Sequence, residues 1–128
     1  MILDSSALVA IVCEEPGAED LANRIARART VAIGAPAVAE TQLVLTNKLG
    51  PNGAAMVNQF MEEARVLVVP FGRDHISSFM DAFQRYGKGR HPAALNMGDC
   101  FSYSIARVAG QPLLFVGNDF PKTDITPA

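Results

Sequence analysis

Apolar residues fall into two rhythms along this chain. Four short continuous runs, Met1-Ile2-Leu3, Val31-Ala32-Ile33, Val66-Leu67-Val68-Val69 and Leu113-Leu114-Phe115-Val116, are separated by longer stretches in which apolar positions recur every three or four residues. The runs read as strands. Val66–Val69, short, β-branched and ended by Pro70, reads as a strand buried on both faces. The periodic stretches read as helices. One follows the Asp4-Ser5-Ser6 turn and is stopped by Pro16-Gly17, and a second spans about Ala18 to Arg29 with Leu21, Ile25 and Ala28 on its apolar face. A third is opened by Gly34-Ala35-Pro36 and closed by Gly50-Pro51. A fourth runs from about Asn52 to Ala64 on Val57, Phe60, Met61 and Ala64. The fifth, Arg73 to about Tyr86, carries a stripe of Ile76, Phe79, Met80 and Phe83 that reads as core. After a Gly-rich, basic loop, the sixth spans Gly98 to Ala109 with Phe101, Ile105 and Val108 facing inward. Strands alternating with helices throughout predict an α/β fold with a parallel sheet covered on both faces and a ligand site outside the carboxyl ends of the strands. No repeat, linker or low-complexity stretch divides it, so residues 1–128 read as a single domain.

Composition narrows the function. Apolar residues make up 49%, enough for a core, while charged residues, at 19%, fall below the usual quarter and leave apolar surface for a partner. A net charge of −2 excludes a protein that holds nucleic acid through bulk positive charge. It leaves room for an enzyme that meets phosphate through bound cations. Cys13 and Cys100 have no partner at metal-ligand spacing and read as free thiols in a reducing cytosol. No apolar run reaches membrane-spanning length, and the acid at position 4 interrupts any leader, so the expected location is cytoplasmic with no membrane association. Arg24, Arg27 and Arg29 read either as a solvated helix end or as RNA backbone contacts.

The acids carry the chemistry. Most of them lie on helix faces or ends, where solvation explains them, but four do not. Asp4 follows the first strand, Glu40 sits early in the helix after the second, Asp99 opens the helix after the basic loop, and Asp119 follows the last strand. Each lies at a strand-to-helix end, and in a parallel sheet those ends share one edge. Alone, Asp4 reads as readily as a helix cap. Four converging carboxylates raise one another's pKa unless a cation relieves them. An all-oxygen set without Cys or His selects Mg²⁺ or Mn²⁺, ions suited to hydrolysing a nucleic-acid backbone.

MILDSSALVAIV, Glu40 within PAVAETQLVL, GRHPAALNMGDCFSYSIA, and PLLFVGNDF with TDI together resemble the PIN-domain ribonucleases. More narrowly, they resemble the VapC toxins of bacterial type II toxin–antitoxin pairs, from the first residue to about Ile125. The resemblance implies a three-layer α/β/α sandwich with a parallel sheet of about five strands. It also implies Mg²⁺- or Mn²⁺-dependent endoribonuclease activity on structured RNA of the transfer or ribosomal class. Asp4, Glu40 and Asp99 match the family's core acids and are assigned to the cation. At the fourth acidic position the chain reads Asn118-Asp119-Phe120 where related toxins often carry an acid pair. The role passes to Asp119 with Asn118 as polar partner, and Asp124 stays open as an alternative. Ser6 matches a hydroxyl position near the acids. Asn96 would brace the loop beside Asp99, and Lys88, Arg90 and Arg85 would meet RNA phosphates, although loop solubility explains Lys88 and Arg90 equally well. His91-Pro92 reads as a turn rather than a general base. A VapB-type antitoxin is the implied partner, docking on the helices at 5–13 and 52–64 near Met56, Phe60 and Met61. A homodimer and a toxin–antitoxin hetero-oligomer are also implied.

Other classes fit less well. A phosphoacceptor receiver domain needs an acid pair after the first strand and an acceptor Asp after the third, where this chain has Pro70-Phe71. A non-catalytic PIN-like binding module would have lost acids, yet only the Asn118 position departs. A DNA flap-type nuclease needs more acids and added DNA-binding elements.

Overall fold

The computed structural model describes residues 1–128. Strands β1 (Ile2–Leu3), β2 (Ala32–Gly34), β3 (Leu67–Val69) and β4 (Leu113–Leu114) form one parallel sheet in the order β3-β2-β1-β4. Six helices connect them: α1 (Ser5–Val12), α2 (Ala18–Arg27), α3 (Ala35–Leu49), α4 (Gly53–Glu63), α5 (Arg73–Tyr86) and α6 (Met97–Ala109). The two-residue period of a strand sorts the core. Ile2 pairs in register with Ala32 and with Leu113, and all three face a cluster built with Ala82, Cys100, Tyr103 and Ile105 of α5 and α6. Their successors Leu3, Ile33 and Leu114 face the opposite cluster, with Leu8, Leu21, Ile25, Leu45 and Val57 of α1 to α4. This is the expected three-layer α/β/α sandwich.

The sheet has four strands rather than about five. The place beside β4 is taken by the last residues: the Leu113 N–H donates to the Thr126 carbonyl and the Ala128 N–H to the Leu113 carbonyl, both at 2.9 Å. That makes one parallel bridge, Leu113 to Pro127, in which proline is tolerated because the N–H it lacks would point away from β4. Three readings of the apolar pattern also change. β3 is not buried on both faces, because it is an edge strand with β2 as its one neighbour, and Leu67 and Val68 remain 58% and 48% exposed. In α5 only part of the stripe is core: Phe79 and Phe83 pack against it, whereas Ile76 and Met80 face solvent, as does Val108 of α6. Helix α2 ends at Arg27, since Ala28 turns to extended backbone.

β2 and β3 lie on one side of β1 and β4 on the other. The chain therefore leaves β1 and β4 in diverging directions, and such a switch point opens a crevice at the carboxyl ends.

Candidate active site

Asp4 sits at that crevice. Its N–H donates to the Leu114 carbonyl at 2.9 Å, carrying the pairing of β1 with β4 one residue past the strand. Asp4 is the N-cap of α1: Oδ2 accepts from the Ser6 N–H at 3.0 Å and from the Ser6 hydroxyl at 2.5 Å. Ser6 Oγ in turn accepts from the Val116 N–H at 3.0 Å, fixing the exit from β4 against the start of α1. The other carboxylate oxygen, Oδ1, is buried and has no hydrogen-bond partner. Cap and candidate ligand, alternatives in the sequence, thus fall on different oxygens of one side chain.

Glu40 lies in the second turn of α3. Its Oε1 accepts from the Ser5 hydroxyl at 3.0 Å. On the other side it lies against Gly98, where a Cβ would stand 2.4 Å from Oε2, so only glycine leaves room for this carboxylate. Asp99 follows at the third position of α6. It forms a reciprocal capping box with Asn96, whose N–H donates to Asp99 Oδ2 at 2.9 Å while the Asp99 N–H donates to Asn96 Oδ1 at 2.8 Å. Asp119 is exposed at the start of a short 3₁₀ turn, Phe120–Lys122, whose Phe120 is buried.

These residues line one open cleft of about 290 Å³: Asp4, Ser5, Ser6, Glu40, Asn96, Asp99 and Asp119, with Val9, Val44, Val116 and Phe120 as apolar wall. Asn118, next to Asp119, is exposed and does not line it. The acids feel one another. Burial pushes the Asp99 carboxyl up to about 6; the Asn96 N–H opposes the rise, and the charges of Asp4, Asp119 and Glu40 add to it. Burial and the Asp99 charge push the neighbouring Cys100 thiol up to about 11. Cys13 and Cys100 are both free.

The remaining candidates lie elsewhere. The Asp124 carboxylate accepts from the Tyr103 hydroxyl at 2.8 Å and pairs with Arg85 at 3.3 Å and Arg107 at 3.4 Å, outside the cleft. Arg85 also pairs with Asp81 at 3.3 Å, donates to the Tyr86 hydroxyl and lies over the Tyr86 ring. Lys88 and Arg90 are exposed in the loop before α6, with the Arg90 guanidinium over the Phe83 ring. His91 Nδ1 accepts from the Ala93 N–H at 3.0 Å, a turn contact. Sequence reasoning missed Ser5, Gly98 and Tyr103. A Ser pair next to Asp4 and a Gly next to Asp99 were visible, but only packing shows that both meet Glu40.

The cleft suits a hard divalent cation on two grounds. Its donors are all oxygen, and the orphaned Asp4 Oδ1 is a buried acceptor of the kind that calls for a positive partner. No three of the acids close into a ready-made cage, as mutual repulsion opposes their closer approach. Two larger grooves, of about 660 and 730 Å³, open where the strands begin, around Arg29 and Thr30. Both are lined mainly by apolar residues, and convergent polar groups mark a site better than size does.

A family model for the PIN domain matches residues 1–125. Ribonuclease VapC36 of Mycobacterium tuberculosis is 46% identical over 126 residues, covering 98% of this chain and 91% of that protein. Ribonuclease VapC of Mycolicibacterium smegmatis is 42% identical, covering 98% and 97%. Among solved structures, VapC20 of Mycobacterium tuberculosis, described as a Sarcin-Ricin loop cleaving toxin, superposes with a TM-score of 0.80 at 15% identity over 99% of this chain and 97% of that one. VapBC2 from Rickettsia felis, bound to a DNA fragment from its promoter, gives 0.73 at 16% identity over 99% and 96%. The family match spans every strand-end acid of the cleft, and the chain belongs to the PIN-domain family, alongside the VapC ribonucleases.

Proposed function

We propose that this protein is a divalent-cation-dependent endoribonuclease, the toxin of a VapBC-type pair, acting on structured RNA of the transfer or ribosomal class. The observation that carries the reading is the buried Asp4 carboxylate, one oxygen committed to α1 and the other without a partner, set among Glu40, Asp99 and Asp119.

In this reading Asp4, Glu40 and Asp99 hold Mg²⁺ or Mn²⁺, and Asp119 completes the pocket. A bound divalent cation supplies the charge that acidifies an attacking water and stabilises the leaving oxygen of a phosphodiester. The chain does the positioning. Ser5 and Gly98 fix Glu40, Asn96 fixes Asp99, and Ser6 fixes Asp4. Lys88 and Arg90 meet backbone phosphates, whereas Arg85, engaged by Asp81 and Asp124, belongs to the frame. Without bulk positive charge, these few cations and the bound metal carry the attraction to RNA.

A VapB-type antitoxin is the partner of this reading. Exposed Met56, half-buried Phe60 and Met61, and the apolar wall of Val9, Val44 and Val116 beside the acids give it a surface to cover. No helix is long and apolar enough to cross a membrane, and we place the protein with its RNA in the cytoplasm, as a homodimer or in a hetero-oligomer with the antitoxin.

Purified protein incubated with structured RNAs is expected to cleave them with Mg²⁺ or Mn²⁺ and to stop with EDTA. The Asp99→Asn variant is expected to lose activity by at least about a hundredfold, the scale of a lost charge-stabilising group. Cleavage that survives EDTA, or an Asp99→Asn variant as active as the parent, overturns the proposal.

A further inference from the structure

We infer that Asp124, through its hydrogen bond from Tyr103, is a positioning residue for Asp119. The inference rests on the reading of Asp119 as part of a cation site. Asp119 has little to hold it. It is exposed, its side chain caps nothing, and it lies in the segment after β4 rather than on a helix. Its place is therefore set by whatever fixes that segment.

Two anchors do so. Phe120 is buried with its ring 5.1 Å from Phe115. Five residues beyond Asp119, Asp124 accepts from the Tyr103 hydroxyl at 2.8 Å, and Tyr103 is fully buried. Between the anchors the backbone is a closed series of turns. The Lys122 N–H donates to the Asp119 carbonyl at 3.2 Å, the Thr123 N–H and hydroxyl to the Phe120 carbonyl at 2.9 and 2.7 Å, and the Ile125 N–H to the Thr123 hydroxyl at 3.2 Å. A displacement at Asp124 is passed along this stiff segment to Asp119.

The far end of the link matters as much. Tyr103 lies four residues beyond Asp99 on α6, one turn along the same helix face. The path from Asp99 to Tyr103, across the hydrogen bond to Asp124 and back to Asp119 forms a closed loop. It fixes the spacing between an acid on a helix and an acid on a turn. Arg85 and Arg107 hold the same carboxylate from α5 and α6, but at 3.3 and 3.4 Å and at the surface, where ion pairs contribute little. The buried Tyr103 hydroxyl is the specific element.

The test is Mn²⁺ binding to the full chain without RNA, followed by the electron-spin resonance of free Mn²⁺. Asp124→Ala and Tyr103→Phe are expected to weaken binding by roughly tenfold, the low end of what losing a group that orients a ligand costs. Asp124→Asn, which still accepts from Tyr103, is expected to stay near the parent. In an Asp119→Ala background the Asp124→Ala change is expected to have no further effect, the mark of action through Asp119. Binding by Tyr103→Phe equal to the parent's, or an equal loss in the Asp119→Ala background, overturns the inference. Should Asp124→Ala fail to fold, Tyr103→Phe, which keeps the packed ring, decides alone. A parent that binds no Mn²⁺ removes the cation reading and this inference together; a parent that binds, with Tyr103→Phe unchanged, removes the inference only.

Discussion

Asp99 holds two opposed requirements in one side chain. It caps its own helix through Asn96, and it is the acid whose proton the fold retains most, up to about 6. The folded chain binds that proton more tightly than the unfolded chain, whose carboxyl has the ordinary value of 3.8. Metal-free stability therefore falls as pH rises between these two values and stays lower above them. Asp99→Asn keeps an acceptor for the Asn96 N–H and removes the charge. Melted in EDTA, this variant is expected to lack that fall and to melt above the parent at pH 7.5. A parent curve parallel to the variant's from pH 4 to 7.5 contradicts the account. Gly98 gives the converse dissociation. The three nearest atoms an added Cβ would meet all belong to the Glu40 carboxylate, the far end of a side chain that can turn aside, and Gly→Ala within a helix contributes up to about 1 kcal/mol. Gly98→Ala is expected to melt no lower than the parent while losing most of its RNA cleavage, measured on the same preparation.

Among the elements, α1 shows how a strand-to-helix turn serves structure and chemistry together. Asp4→Asn retains an N-cap of equal quality; Asp4→Ala loses it, at about 1 kcal/mol. Both are expected to be inactive, but in EDTA the Ala variant is expected to melt below the Asn variant. Equal melting temperatures would mean that the cap contributes nothing. The helices, the parallel sheet and the four strand-end acids were legible because each rests on a local signal: 3.6-residue periodicity, β-branched runs, Gly and Pro stops, and, for the acids, a place after a strand or in the opening turns of a helix. Leu67, Val68, Ile76 and Val108 were misread for a common reason. Hydrophobicity states what can be buried, while strand order and helix rotation decide what is, and an edge strand has no neighbour to cover it. The Ser5–Glu40, Gly98–Glu40 and Tyr103–Asp124 contacts join residues 35, 58 and 21 positions apart. No spacing rule reaches across such separations.

On the scale of the whole molecule, the acids gather where the strands end, and unpaired Arg29 and Arg65 lie where β2 and β3 begin. α6 binds this arrangement together. It supplies Asp99 to the cleft, Tyr103 to the Asp124 clamp, and Cys100, Ile105 and Ala106 to the core beneath the sheet. No other helix takes part in all three, so the site is no more durable than the seating of α6. Cys100, buried beside Asp99 with its thiol pushed up to about 11, is nearly inert in the closed molecule. An alkylating reagent reaches it only during an excursion in which α6 lifts away, whereas half-buried Cys13 serves as an internal reference. Its labelling rate is thus a clock for the opening of the helix that carries Asp99. Mn²⁺ is expected to slow that clock while leaving Cys13 unchanged, read by mass spectrometry over time, and equal slowing at both thiols would contradict it.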